Sequence, residues 1–225
     1  MSSTYNIAID GPAGAGKSTI AKLVAAKLGF IYVDTGAMYR AMALYFLENS
    51  IQPEDEEKVS AACGQIDISL RYQDGVQQVI LNGRDVSGKI RTEAVGNAAS
   101  VVSAYRAVRQ ALLALQQNLA KTSNVIMDGR DIGTCVLPNA QTKIYLTASS
   151  HVRAVRRYKE LTEKGQMCNL EEIEQDIIDR DYRDMHREIA PLTQAADAVL
   201  LDSSEMTIDQ VVDGIIGAAR ERGLA

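Results

Sequence analysis

Five short runs rich in β-branched and apolar residues punctuate the chain: YNIAI from Tyr5, FIYV from Phe30, NVIM from Asn124, TKIYLT from Thr142 and AVLL from Ala198. Each gives way to a polar or glycine-bearing turn, and then to a longer stretch whose apolar residues recur at helical spacing. Strands that stay apolar on both faces, alternating with helices, belong to a parallel sheet sandwiched between helices. The pattern predicts five core strands and helices over Lys17–Leu28, Ala37–Asn49, Arg106–Lys121, Ser150–Lys164, Leu170–Glu188 and Thr207–Arg222.

One stretch has a different period. Ile66, Ile68, Leu70 and Tyr72 alternate with polar residues, QDG follows, and VQQVIL leads into Asn82-Gly83. Alternation interrupted by such dipeptides predicts a small antiparallel meander inserted into the α/β chain. No internal repeat or Pro/Gly-rich linker divides residues 1–225, so a single domain is expected.

Composition narrows the function classes. With 225 residues, 46% hydrophobic and 24% charged, the chain can build one ordinary core. A formal charge of −5 argues against a general nucleic-acid surface while leaving room for a local basic cleft. Cys63, Cys135 and Cys168 form no CxxC pair and the histidines are His151 and His186 alone, so no zinc site is expected. MSSTYNIAID lacks the charged and apolar regions of a signal peptide, and no apolar run is long enough to span a bilayer; a cytoplasmic location is expected.

The strongest chemical signal is IDGPAGAGKST, Ile9 to Thr19. Gly11, Gly16, Lys17 and Ser18 satisfy G-x-x-x-x-G-K-[ST], a pattern that chance produces in about 1% of chains this long. The loop follows an apolar strand and enters a helix marked by Ile20, Leu23, Val24 and Leu28. Glycines allow successive N–H groups to turn toward an anion, and a helix N-terminus adds its dipole. Gly11, Pro12, Ala13, Gly14, Ala15, Gly16, Lys17, Ser18 and Thr19 are therefore expected to wrap the phosphates of ATP. Lys17 would reach the β and γ phosphates, Ser18 would ligand Mg²⁺, and Asp128, just after NVIM, would steady the ion through water.

A GTPase would carry N-K-x-D, and the chain has no Asn-Lys pair. Other clusters point to a second anionic substrate. DTGAMYR, Asp34 to Arg40, offers a helix start with Thr35 and an arginine one turn later, where it either grips phosphate or stands exposed. DGRDIGT, Asp128 to Thr134, places Arg130 and Asp131 at the C-terminal sheet edge, where ligands of such folds bind. In DRDYRDMHREIAPL, Arg180, Asp184 and Arg187 fall at i, i+4 and i+7, continuing the apolar stripe of Ile173 and Ile177 on one helical face. In HVRAVRR, Arg153 and Arg157 either close over the triphosphate as a lid or form the basic outer face of an amphipathic helix. An acceptor that is itself a phosphate needs no base, only positioning and charge neutralisation; a hydroxyl acceptor would call on Asp34 or Asp131. Another small-molecule kinase and a nucleotide-binding regulatory module are both compatible with the loop alone.

Taken together, GPAGAGKST, DTGAMYR, GRDVSGKIRTEAVGNAAS, DGRDIGT, LTASSHVRAVRR and RDYRDMHREIAPL resemble bacterial-type cytidylate kinases over nearly the whole chain. The resemblance implies the P-loop nucleoside triphosphate hydrolase-like α/β fold: a five-stranded parallel sheet with helices on both faces, a small antiparallel sheet in a monophosphate-binding insertion over 36–105, and a short helical lid region over 151–187. It implies Mg²⁺-assisted transfer from ATP to CMP or dCMP by a monomer, with no nucleic acid and no membrane involved. Arg40, Arg130 and Arg187 would hold the acceptor phosphate, Ser100, Arg109 and Asp131 would read cytosine, and Arg180 with Asp184 would meet the sugar. Arg153 and Arg157 would act with Lys17, Arg130 and Arg187 in catalysis. Thr35 stands where the family often has serine, and Ser18 where some relatives have another small residue.

Overall fold

The computed structural model describes residues 4–224. Its elements run β1 (Asn6–Asp10), α1 (Lys17–Leu28), β2 (Ile31–Asp34), α2 (Thr35–Glu48), α3 (Glu56–Ala62), β3 (Ile68–Gln73), β4 (Val76–Leu81), β5 (Arg84–Asp85), α4 (Glu93–Val102), α5 (Arg106–Thr122), β6 (Val125–Gly129), β7 (Thr142–Thr147), α6 (Ser150–Glu163), α7 (Leu170–His186), β8 (Val199–Asp202) and α8 (Ile208–Glu221). A 3-10 turn, Cys63–Gln65, follows α3, and a single π-helical turn, Ile132–Val136, follows β6. The expected five-stranded parallel sheet is present in the order β2-β6-β1-β7-β8, beside a separate antiparallel sheet β3-β4-β5. Contacts divide the described residues into two compact units, one of residues 5–30 and 126–224, the other of residue 4 with 31–125.

In the first unit, β1 is continuously apolar because it is an inner strand: Ile7, Ala8 and Ile9 are completely buried, and β1 pairs with β7 from Ile7 opposite Thr142 to Asp10 opposite Tyr145. The outer strand β8 shows the opposite pattern, half-buried and exposed residues in turn, with Leu200 in water. α1 buries Ile20, Ala21, Val24 and Ala25 and packs against α8, which buries Val211, Val212, Ile215 and Ala219. The start of α8 is fixed by reciprocal bonds between Thr207 and Gln210, a capping box.

In the second unit, α2 starts two residues earlier than the periodicity predicts, because the Asp34 carboxylate accepts from the Ala37 amide and caps it at Thr35. The meander forms as expected. Asp74-Gly75 and Asn82-Gly83 both turn with positive φ at both residues, which matches the twist of adjoining strands. Two helices went unread in the sequence: α3, capped by Asp55, and α4, capped by Thr92. At the other end of the chain, α7 stops at His186 instead of Glu188, and Arg187 is extended at φ −64° and ψ 142°. Arg187 is therefore beyond the helix that was expected to carry it. The Leu192 amide bonds back to the Asp184 carbonyl at 2.8 Å, which turns the chain there. No helix among the described residues is long and apolar enough to cross a membrane.

The junction between β1 and the following loop leaves no room for a side chain. A Cβ on Gly11 would stand 1.9 Å from the Leu146 backbone oxygen, at a φ of +148° that L-residues avoid. We expect Gly11→Ala to lose about 3 kcal/mol or more of stability, measured by urea denaturation, because a backbone strand must move to admit the methyl.

Candidate active site

The loop between β1 and α1 ends at Gly16, which enters the helix in the left-handed conformation with φ 86°. No side chain caps α1, so its first amides are not claimed by a serine or aspartate. Lys17, the first helical residue, is buried, and its ammonium donates to the carbonyls of Gly11 and Pro12 at 2.7 Å each. Burial pushes its pKa down to about 7 and the nearby Arg130 adds to the effect, against the pull of Asp128, Asp10 and Asp184. Beside it the Ser18 hydroxyl donates to the Asp128 carboxylate at 2.8 Å, so the two oxygen groups expected to serve a metal ion are adjacent.

Asp10, the last residue of β1, was not singled out by its sequence. Its carboxylate accepts from the Ile132 and Gly133 amides, each at 2.7 Å, and thereby ties the end of β1 to the π-helical turn. Burial raises its pKa to about 6 even though those two amides and Lys17 pull it down. The residues leading into that turn carry the expected charges. Arg130 Nε donates to Asp184 Oδ2 at 2.9 Å, and Arg187 Nη2 donates to Asp131 Oδ1 at 3.3 Å while its Nε meets the Ala190 carbonyl at 2.7 Å. Burial opposes ionisation of Asp184, but Arg130, Arg180 and Arg187 outweigh it and hold the carboxyl below the usual aspartate range.

Arg153 and Arg157 part company. Arg153 is 4% exposed, with Nε on the Ala148 carbonyl, Nη1 on the Ala13 carbonyl of the loop and Nη2 on Asp181 Oδ2 at 2.5 Å. Arg157 pairs with Glu160 at 2.9 Å on the solvent side of α6. Of the pair, the structure places Arg153 alone against the phosphate loop. Asp181, which anchors it, was missed because its neighbours Arg180, Asp184 and Arg187 already satisfied a helical spacing.

The other unit holds the remaining predicted residues. Thr35 is buried at the start of α2, and Arg40, half-buried on the same helix, donates to the Ile90 carbonyl at 3.3 Å. Ser103 links the two residues expected to read a base: its hydroxyl donates to the Ser100 carbonyl at 3.0 Å, and its carbonyl accepts from Arg109 at 3.2 Å. The Arg109 guanidinium lies 5.8 Å from the centre of the Tyr39 ring. Asp34 carries two partners that the sequence did not reveal. Arg91 pairs with its carboxylate at 2.6 Å, and Gln77 on β4 bonds both its backbone N–H and its carbonyl, at 2.9 and 3.2 Å.

A cytidylate kinase family model matches residues 7–221. A cytidylate kinase of Caldicellulosiruptor bescii is 51% identical over 211 residues, covering 94% of this chain and 93% of its own length. One from Ligilactobacillus salivarius is 49% identical over 222 residues, 99% of each chain. Among solved structures, an uncharacterized protein from Eubacterium ventriosum aligns with a TM-score of 0.53 at 10% identity, over 96% of this chain and 99% of its own, a likeness of fold alone.

The buried lysine makes the charge of the loop dependent on what it holds. At pH 8 an ammonium whose pKa is about 7 is mostly neutral. A triphosphate placed against it would restore the charge, with uptake of a proton. Calorimetric titration of a non-hydrolysable ATP analogue at pH 8, in buffers of different ionisation enthalpy, should report uptake of about one proton. At pH 6, where the ammonium is already charged, the contribution of Lys17 should nearly vanish.

Proposed function

The chain belongs to the cytidylate kinase family, and on that premise we propose that it transfers the γ-phosphoryl group of ATP to CMP or dCMP, yielding ADP and the nucleoside diphosphate. The observation that carries this reading is the set of paired cations beside the phosphate loop, Arg130 with Asp184 and Arg187 with Asp131, around the buried Lys17. A monophosphate acceptor brings its own ionised oxygen, so the site has to supply positive charge and alignment instead of a base. The two histidines serve elsewhere: His151 pairs with Glu174, and His186 bonds the Tyr182 carbonyl.

In this reading the loop amides and Lys17 hold the β and γ phosphates. Lys17 leaves the Gly11 and Pro12 carbonyls for phosphate oxygens, and Arg153, already fixed to the Ala13 carbonyl, contributes charge at the edge of the same loop. Arg130 and Arg187 are assigned to the acceptor phosphate, the role also assigned to Arg40, and Arg180 and Asp184 to the sugar. Asp131, with Ser100 and Arg109, reads the base: a carboxylate complements the cytosine amino donor, and an arginine complements its O2 and N3 acceptors. Thr35 assists at the acceptor, and Arg157 acts from the lid. A hydroxyl and a carboxylate 2.8 Å apart suit a hard divalent cation, so Ser18 and Asp128 would hold Mg²⁺, the latter through water. Bound there, the ion would neutralise charge on the phosphates. We also take the chain to act as a cytoplasmic monomer on these small molecules, without nucleic acid or membrane, as one kinase domain with a monophosphate-binding insertion over 36–105 and a lid region over 151–187. The net charge of −5 supports the exclusion of nucleic acid.

The test is ADP release from Mg²⁺-ATP offered each nucleoside monophosphate in turn. Release with CMP and dCMP far above UMP, AMP and GMP is expected; no release with any monophosphate would defeat the proposal. Lys17→Ala should lower kcat by about 10²–10³-fold in a folded protein. Asp131→Ala should bring the CMP and UMP rates closer by roughly 10-fold or more, since a buried polar group left unpaired costs about 1–3 kcal/mol. An unchanged CMP/UMP ratio would remove Asp131 from base reading.

A further inference from the structure

Gly96 lies inside α4, with Thr92 at its cap and Val95, Ala98 and Ala99 buried around it. Its φ is helical, so no backbone conformation calls for glycine there. Glycine inside a helix is less stable than alanine, and its presence needs another reason. Space supplies that reason. A Cβ built on Gly96 would stand 2.8 Å from Arg40 Nη1, 3.2 Å from Nη2 and 3.3 Å from Cζ. These three nearest atoms all belong to one guanidinium, the far end of a flexible side chain, on the helix α2 that packs against α4. Outside α4 itself, neither backbone nor core side chain comes as close.

We propose that Gly96 is a positioning residue for the acceptor phosphate. Its bare Cα is the seat on which the Arg40 guanidinium rests, while the Ile90 carbonyl holds Nη1 from another side at 3.3 Å. A methyl group at position 96 displaces the guanidinium by several tenths of an ångström and disturbs its bond to Ile90, and the atoms that must give way are the far end of a flexible side chain. The inference rests on the reading of Arg40 as a ligand of the acceptor phosphate. It adds that the geometry of that arginine is set by the absence of a side chain on a different helix.

Three variants test it: Gly96→Ala, Arg40→Ala and the two combined, each assayed with CMP and ATP varied separately and each melted thermally. Gly96→Ala should raise the KM for CMP by about 10-fold, leave the KM for ATP unchanged, and melt at the same temperature as the parent or higher. The combined variant should be no worse with CMP than Arg40→Ala alone, because the methyl then has no guanidinium to displace. A wild-type KM for CMP in Gly96→Ala, alongside a raised one in Arg40→Ala, would overturn the role of Gly96. A lowered melting temperature, or equal losses for ATP and CMP, would do the same by making Gly96 a packing residue. If Arg40→Ala itself left the KM for CMP untouched, the underlying reading of Arg40 would fall instead.

Discussion

A cation taken out of water must be met by fixed oxygens or lose its proton, and Lys17 is such a cation. Its two short bonds go to the carbonyls of Gly11 and Pro12, within its own loop, so the loop has to fold back over the helix start. That fold requires the close passage of Gly11 against Leu146. Arg130 shares the neighbourhood and makes the lysine harder to charge, so the second cation needs its own partner, which Asp184 supplies. The requirement passes outward: Asp184 sits near the end of α7 because a carboxylate is needed there, and Arg187 beyond it meets Asp131. The succession of alternating charges follows from the first burial.

Asp10 shows how backbone geometry is coupled to these charges. Two amides of the π-helical turn are spent on one carboxylate, which fixes the direction in which the chain leaves β6. At the start of the turn, the Asp131 carbonyl accepts from both Cys135 and Val136, at 2.8 and 3.1 Å, so its backbone is held from one side while its side chain meets Arg187. The other unit solves a similar problem at Asp34. One carboxylate oxygen caps α2, the other takes Arg91, and Gln77 satisfies the peptide group as a neighbouring strand would. In both places a carboxylate at the end of a strand fixes the start of a turn or helix, for Asp34 the helix that follows it and for Asp10 the turn that follows β6.

What could be read along the chain and what could not divides by the range of the cause. α1 spans the expected residues because its start signal, its apolar spacing and its glycine stop at Gly29 are all local. The two meander turns were legible for the same reason, since Asp-Gly and Asn-Gly encode their own conformation. α3 could have been found from Asp55 followed by two glutamates, a cap and first-turn signal that a seven-residue helix hardly extends into periodicity. α4 was hidden by Gly96, which lowers helix propensity for the sake of a neighbour in space. Arg187 was assigned to the wrong element: the helical spacing from Asp184 that was meant to carry it is broken because the helix ends first. The π-helical turn and the Arg153–Asp181 pair depend on acceptors distant along the chain, and no local pattern announces them.

The pairing of Arg130 and Arg187 with carboxylates also bears on how such a site trades affinity for rate. Arginine stays charged at any physiological pH, so its orientation, not its protonation, is what the surroundings can set. Asp184 and Asp131 fix the guanidiniums of Arg130 and Arg187 in advance, which removes part of the ordering cost from the moment of binding. In the proposed site the same carboxylates would compete with an incoming phosphate for those N–H groups, and their negative charge would weaken ground-state attraction. In the proposed reaction, negative charge spreads over the transferred group as it leaves the donor, and a cation already aimed at that position gains most at that point. On the proposed roles, carboxylate-held arginines would therefore moderate substrate binding while keeping the donors aligned for the transfer itself, as a kinase that must release a charged product requires.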